Sequence, residues 1–257
     1  MLEKYKTKGP DYHYQQINKL SLFNFNAFLA ARYQNHIDLI IKNVKKHFKK
    51  TKTLEILDLG CGDGVLLYLL KNQLKNYKLN LHGLDLSKRA LSMARNKIPS
   101  GNFIKGDVCK LKFLDNAFDI IISSDVIEHI QNQSKMIKEI KRVIKKRGFA
   151  IIGTPFKLTE IPQDKFHIHE LFPNEFEKMA KKHFKSVKLI QSHPLVYFLI
   201  YQTPFKILGK NLYFFKCFIN LLNIFFNLNP FLKTREEKTN TANHYSYMFL
   251  ICKNNEK

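Results

Sequence analysis

Between residues 54 and 154, short apolar runs alternate with stretches of helical periodicity, and no other feature restricts the fold as much. The runs are LEILDL at 54–59, LNLHGLD at 79–85, NFIKG at 102–106, FDIIIS at 118–123 and GFAIIGT at 148–154. Candidate helices begin between them near Asp63, Ser87 and Gln131. Nearly continuous apolar strands separated by helices predict a parallel sheet covered on both faces. Upstream, Phe28, Leu29, Ile37, Ile40, Ile41, Val44 and Phe48 recur at helical spacing, which predicts a helix over 25–50. Downstream, the pattern predicts a helix over 173–183 and strands over 186–191 and 244–252.

The first strand runs straight into glycines, Leu57-Asp58-Leu59-Gly60-Cys61-Gly62-Asp63-Gly64, and then into a helix. Glycines let a ligand approach the backbone, and a helix N-terminus offers free N–H groups. The GxGxG spacing followed by Val65 lacks the third small residue of a dinucleotide site. Asp58 at the end of this strand would repel a pyrophosphate and attract an ammonium or sulfonium. Asp85 ends the second strand, where a carboxylate can accept ribose hydroxyls. Asp107, after the third, is placed for an adenine amino group. Each acid could instead cap a helix, and that is the reading preferred for Asp63. Acids at three successive strand ends nevertheless point to a ligand, because open α/β sheets bind at the carboxyl ends of their strands.

In these segments the chain resembles the class I S-adenosylmethionine-dependent methyltransferases, in the branch of the ubiquinone-biosynthesis type. LDLGCGDG is similar to their motif I, HGLDLS to their second acidic motif, and KGDVCKLKF to the adenine-side motif. FDIIISSDVIEHI and KRVIKKRGFAIIGTP resemble the region of strands 4 and 5, so the resemblance covers about residues 50–160. It implies an α/β, Rossmann-like seven-stranded sheet of order 3-2-1-4-5-7-6 with strand 7 antiparallel. It also implies S-adenosylmethionine at Asp58, Gly60, Cys61, Gly62, Gly64, Asp85, Leu86, Asp107, Val108 and Ser124. The expected organisation is a helical cap at 1–50, the methyltransferase core at 51–192, an apolar helical insertion at 193–240 and a final strand at 241–257.

Methyl transfer from a sulfonium needs two reactants in line and, for many acceptors, a base. Asp125, Glu128 and His129 stand at i, i+3 and i+4 after strand 4 and would share a helix face. His129, assisted by Glu128, is the candidate base, since imidazole titrates near neutrality. The same trio resembles the ExxEH pattern of the ubiquinone branch, where a divalent cation orients the acceptor. Here Asp125 replaces the first Glu, so a metal is the less favoured alternative, beside a purely structural Glu-His pair. His167 and His169, in FHIHELF before the helix at Pro173, either contact an acceptor or pack their loop. Arg32 and Tyr14 are further candidates in the N-terminal region. No Asn/Asp-Pro-Pro-Tyr-like motif follows strand 4, and Cys109 is not where a cytosine nucleophile would stand. The acceptor is therefore expected to be a small or lipid-like molecule methylated at oxygen, with an RNA or protein acceptor and a non-catalytic cofactor-binding module as alternatives.

Charge enters here. With 43 Lys and Arg against 21 Asp and Glu the net charge is +22, but only six of the basic residues are Arg, the side chain that reads phosphates and bases in a bidentate way. Nucleic acid is thus not the favoured partner. The four cysteines have no metal-like spacing, and the polar N-terminus has no apolar signal stretch, so a reducing, cytoplasmic setting is expected. Residues 195–232 are rich in Phe, Leu and Ile, and Lys216, Asn220, Asn223 and Asn227 form one polar stripe of a helix. The longest uncharged stretches there fall short of a spanning helix. Core or homodimer packing, a wall for a hydrophobic acceptor, and peripheral contact with the cytoplasmic face of a membrane all remain open.

Overall fold

In the computed structural model, described at residues 12–20, 24–159, 164, 166–207, 210–236 and 245–254, the alternation becomes a single large sheet. Strands β1 (Thr53–Leu59), β2 (Lys78–Asp85), β3 (Asn102–Lys105), β4 (Phe118–Ser124) and β5 (Ile144–Pro155) are parallel. Helices α3 (Val65–Gln73), α4 (Lys88–Lys97) and α5 (Gln133–Val143) connect them, and α6 (Pro173–Lys181) leads to β6 (Ser186–Pro194). The last strand, β10 (Tyr245–Lys253), runs antiparallel between β5 and β6. His244, expected to open this strand, lies outside the described residues.

The sheet order is β3-β2-β1-β4-β5-β10-β6-β9, eight strands where seven were expected. The extra one is β9 (Thr234–Glu236), a short edge strand antiparallel to β6, formed by the end of the segment between β6 and β10. That segment is not purely helical either. It holds α7 (Leu195–Gln202), a two-stranded ribbon of β7 (Phe205–Ile207) and β8 (Lys210–Leu212), and α8 (Phe214–Phe226).

The two faces of the sheet are sealed by alternate residues of the same strands. Ile56, Ile120, Ile122, Ile151, Phe249 and Ile251 pack under α3, α4 and the long helix α2 (Ala27–His47). Leu57, Ile121, Ala150, Ile152, Met248 and Leu250 pack under α5 and α6. Each fully buried Leu or Ile contributes roughly 1.5–3 kcal/mol. Local signals set the helix starts. Asn26 caps α2 by accepting from the Leu29 N–H (3.1 Å), and Ser87 caps α4 through the Ala90 N–H (3.2 Å). Ile37, Ile40 and Val44 give α2 its buried stripe. The carboxyl ends of β1, β2, β4 and β5 therefore meet at one edge, beneath α2 and α1 (Tyr12–Ile17).

Candidate functional site

A cavity of about 930 Å³ opens at those strand ends. Its floor is the glycine turn after β1. Gly60 sits at φ +73°, and a Cβ there would lie 2.3 Å from Cγ2 of Val126, so only glycine lets the chain turn under the β4 loop. The Gly60 and Cys61 amides both donate to the carbonyl of Leu84 (2.7 and 3.1 Å), which ties the turn to β2. Gly64, also at positive φ, precedes α3 without any side-chain cap. Asp63 is thus not the helix cap that its position suggests. Its carboxylate instead meets Nδ1 of His13 on α1 at 2.8 Å, and its carbonyl accepts from the Tyr14 hydroxyl at 3.2 Å. This clasp holds the N-terminal helix over the glycine turn, and both His13 and Asp63 line the cavity.

Two acids face this floor. Asp85 accepts from the Gly62 amide (2.9 Å) and the Ser87 amide (2.8 Å). Burial still lifts its carboxyl above the usual range, partly offset by these bonds. Asp58 is 3% exposed and accepts no hydrogen bond among the described residues. Burial first, and the nearby charge of Asp85 second, push its carboxyl well above the ordinary value. Cys61 lines the cavity too, with its thiol pushed well up by burial. Ser124 lines it from the end of β4. Four expected residues do not line the cavity: Gly64, Leu86, Asp107 and Val108. Asp107 is exposed and folds back to accept from the Cys109 amide (2.8 Å), while Val108 is buried in the core.

The opposite wall departs from the expected helix face. Asp125 adopts φ +56°, and only Ile127–His129 form a short 3-10 turn, so Asp125 does not share a face with Glu128 and His129. Arg32 of α2 takes Asp125 instead, Nη1 to Oδ1 at 2.7 Å, with the guanidinium 4.9 Å from the Phe28 ring centroid and 4.5 Å from that of Tyr247. Burial works most strongly against the Arg32 charge, but Asp125 and Tyr247, with a smaller contribution from Tyr33, together outweigh it and raise its pKa.

Glu128 is buried. Its Oε2 accepts from the Thr154 hydroxyl at 3.0 Å, and its Oε1 is buried without a partner among the described residues. Burial, with a smaller contribution from Asp125, pushes its carboxyl up to about 8. His129 donates from Nδ1 to the carbonyl of Phe166 (2.8 Å), which leaves the Nε2 lone pair as its free acceptor. Burial lowers the His129 pKa, so the ring is neutral at pH 7. His167 bonds through Nδ1 to Glu170 (2.5 Å); burial pulls it down, but Glu170 and Glu128 outweigh this and hold it above the ordinary value.

Glu128, His129 and His167 each offer a ligand atom within 4.8 Å of the others. Among the described residues this set, with His167 in place of Asp125, is the one able to gather around a cation. Arg32 and Tyr14 both prove to be tied to the strand-end loops. His169 is not part of the cavity wall. Thr154, Glu170, His13 and Tyr247 were missed by sequence reasoning; only Glu170, three residues after His167, carries a local signal.

Comparison with known proteins follows the same lines. Residues 57–152 match the family described as Methyltransferase domain. A ubiquinone biosynthesis O-methyltransferase of Rickettsia bellii is 31% identical over 122 residues, 46% of this chain and 49% of that protein. A demethylmenaquinone methyltransferase of Thermotoga maritima is 33% identical over 98 residues, 38% and 42% of the two chains. The chain thus spans about half the length of the curated relatives it matches. Among solved structures, a Pyrococcus horikoshii protein superposes with TM-score 0.56 at 20% identity over 98% of this chain and 99% of that one. Phosphoethanolamine N-methyltransferase 2 of Haemonchus contortus, in complex with S-adenosyl-L-methionine, gives TM-score 0.57 at 17% identity over 94% and 58%. The fold is the Rossmann-like α/β fold of these proteins.

Proposed function

We propose that this chain, whose residues 57–152 match the family described as Methyltransferase domain, transfers a methyl group from S-adenosylmethionine to the oxygen of a small or lipid-like acceptor. The single observation that carries the reading is the pairing of two differently equipped walls across one cavity. One wall is a glycine turn with two carboxyls, Asp58 and Asp85, both short of cationic partners. The other presents a neutral histidine with a free Nε2. A ligand with a sulfonium, an ammonium and ribose hydroxyls suits the donor-poor first wall, because each of those groups is a cation or a hydrogen-bond donor.

When bound, the sulfonium supplies an activated methyl group. The protein's own task is then to position the reactants and handle a proton. Asp58 and Asp85 hold the cationic and hydroxyl-bearing ligand against the Gly60–Gly62 backbone. His129 accepts the acceptor's hydroxyl proton at Nε2, and its Nδ1 bond to the Phe166 carbonyl keeps that tautomer in place. The imidazole lies within 4.8 Å of the Glu128 carboxyl, which is protonated at neutral pH in the empty site and ionises more readily beside a developing imidazolium. Phe28, Phe166 and Phe198 give the cavity apolar wall for an acceptor with hydrocarbon character. The O-methyltransferase and quinone-pathway names of the relatives point the same way.

The clustering of Glu128, His129 and His167 favours a second reading, in which a divalent cation orients the acceptor oxygen. The donor set fits. Glu170 on Nδ1 of His167 and the Phe166 carbonyl on Nδ1 of His129 are the outer bonds that metal-binding histidines use. A cation held there would supply Lewis-acid stabilisation of an acceptor oxyanion.

The test is methyl transfer from labelled S-adenosylmethionine to phenolic acceptors with and without a prenyl tail, comparing the wild type with His129→Ala. Loss of the general base lowers kcat by roughly 10²–10⁴ while leaving S-adenosylmethionine affinity unchanged. Equal turnover in the variant would remove His129 from the mechanism. Absence of any binding of S-adenosylmethionine would remove the whole reading.

A further inference from the structure

Helix α8 is docked the wrong way round for a helix of a water-facing protein. Its inward face carries the polar stripe: Asn220 accepts from the Ala27 amide (3.0 Å) and the Tyr201 hydroxyl (2.9 Å), and donates to the Phe25 carbonyl (2.8 Å). Asn223 is buried beside it. At the end of the helix Asn227, in the left-handed region, accepts from Lys19 (2.6 Å). What faces outward is apolar. Phe214, Phe218, Leu221 and Phe225 follow at i, i+4, i+7 and i+11, and Phe214, Phe225 and Phe226 are 65%, 67% and 69% exposed. A contiguous apolar surface of this kind on a folded chain marks an interaction site.

The charge around it says what kind. From Lys178 to Arg235 the sequence contains no Asp or Glu and ten Lys or Arg. Lys216 stands on α8 itself, reaching over the Tyr201 and Tyr213 rings, and Lys233 and Arg235 flank an apolar groove formed with exposed residues of α7. A second copy of this chain would bring another acid-free basic segment against this one. An anionic bilayer complements both features at once, taking phenylalanines into the acyl boundary and lysines against its headgroups.

We propose that α8 and the exposed side of α7 are a membrane-docking surface, with α8 lying in the plane of an anionic lipid bilayer. The 13 residues of α8 span about 20 Å, against a hydrocarbon core of about 30 Å, and no described helix is long and apolar enough to cross. Helix α7 connects this surface to the cavity. Val196, Tyr197 and Leu199 face outward, while Phe198 and Gln202 line the cavity wall. An acceptor dissolved in the bilayer would reach the site along α7. The docking itself does not depend on the methyltransferase reading.

The experiment is co-sedimentation of the full chain with phosphatidylcholine vesicles with and without phosphatidylglycerol, at low and high salt. The wild type partitions onto the phosphatidylglycerol vesicles and is released by salt. F218E/F225E, in which both positions are exposed in the fold, lowers partitioning at least about tenfold. K233E/R235E removes the preference for phosphatidylglycerol. An environment-sensitive fluorophore on the exposed Cys217 of α8, in an otherwise unaltered helix, shifts to the blue on the same vesicles. Three results would overturn the proposal: no partitioning at low salt, unchanged partitioning of F218E/F225E with no shift of the Cys217 probe, or a wild-type dimer that F218E/F225E converts to a monomer. The last would assign the face to a second copy.

Discussion

Replacing Asp58 by Asn separates a binding acid from a structural one, because the two roles predict opposite effects on the empty protein. Asp119 provides the contrast within the same sheet. It is buried at the start of β4, where Lys52 (2.5 Å), Lys145 (2.9 Å) and the Glu55 amide (3.0 Å) all reach it. Burial acts against that charge, but these bonds win and hold the carboxyl below its usual range. Asp58, as deeply buried at the other end of β1, has no such partners among the described residues and is driven upward. A carboxyl whose folded pKa is raised favours the native state below its unfolded pKa and loses that contribution as pH rises through the folded value. At neutral pH and above, Asp58 therefore works against folding. D58N removes the ionisable group at nearly constant shape and is expected to stabilise the empty protein at neutral pH by about 1 kcal/mol or more, each unit by which the folded pKa is raised being worth about 1.4 kcal/mol. For a chain of this length that is roughly 2–4 °C in Tm per kcal/mol. The gain grows as pH rises above the unfolded carboxyl's pKa of about 3.9. The same substitution removes the group that meets a cationic ligand, so S-adenosylmethionine affinity by calorimetry falls about tenfold or more, equivalent to at least 1.4 kcal/mol. Thermal unfolding with and without ligand reads both effects. A D58N variant that is less stable when empty and binds S-adenosylmethionine as well as the wild type would refute the argument.

Three other perturbations probe separate parts of the molecule. N220L, although it makes α8 more apolar, removes three hydrogen bonds from a buried contact and is expected to cost about 2–4 kcal/mol in chemical denaturation; a neutral effect would mean that the polar stripe does not anchor the helix. His36, buried with Nε2 against the Ile151 carbonyl (3.2 Å), has its pKa lowered to about 4 by burial, and His193 is lowered to about 3 by burial and then by Arg32. Both stay neutral in the fold and gain a proton on unfolding below pH 6.5. Stability should therefore fall by about 2 kcal/mol for each between pH 7 and pH 5, and denaturant titration at the two pH values would show about half the combined fall if one ring is protonated in the native state and a flat response if both are. H167A is expected to weaken binding of Mn²⁺ or Zn²⁺ by about 10–100-fold with D125N near the wild type, and the reverse ranking in calorimetry would return the cation to Asp125.

The sheet could be read from the chain because its signals are local. The first five strands show as short runs of five to seven mostly apolar residues, and α2 and α4 start at local caps, Asn26 and Ser87. The acid at 58 and the glycine turn were legible for the same reason: a strand end next to glycines fixes where a carboxyl must point. The β4 loop was not. Spacing at 125, 128 and 129 assumes a helical turn, but the left-handed conformation of Asp125 breaks it, and the partner that takes that carboxylate, Arg32, lies 93 residues earlier. The pairing of His13 with Asp63 across 50 residues escaped for the same reason. Helix α8 shows a subtler limit. Periodicity revealed that its Asn residues share one stripe, yet it does not say which stripe faces the protein. For a helix in water the apolar side turns inward by default. Here Phe25 and Ala27 present backbone groups that Asn220 satisfies, and the Tyr201 hydroxyl is shared between Asn220 and Asn26, so the stripe is drawn inward and the phenylalanines are left outside. Burying an Asn amide with its bonds made costs little, but leaving those groups unpaired beneath an apolar face would cost about 1–3 kcal/mol each. That energy fixes the helix's orientation, and the exposed phenylalanines are its consequence. The surface most suggestive of a membrane thus arises from three buried hydrogen bonds whose partners are remote in sequence.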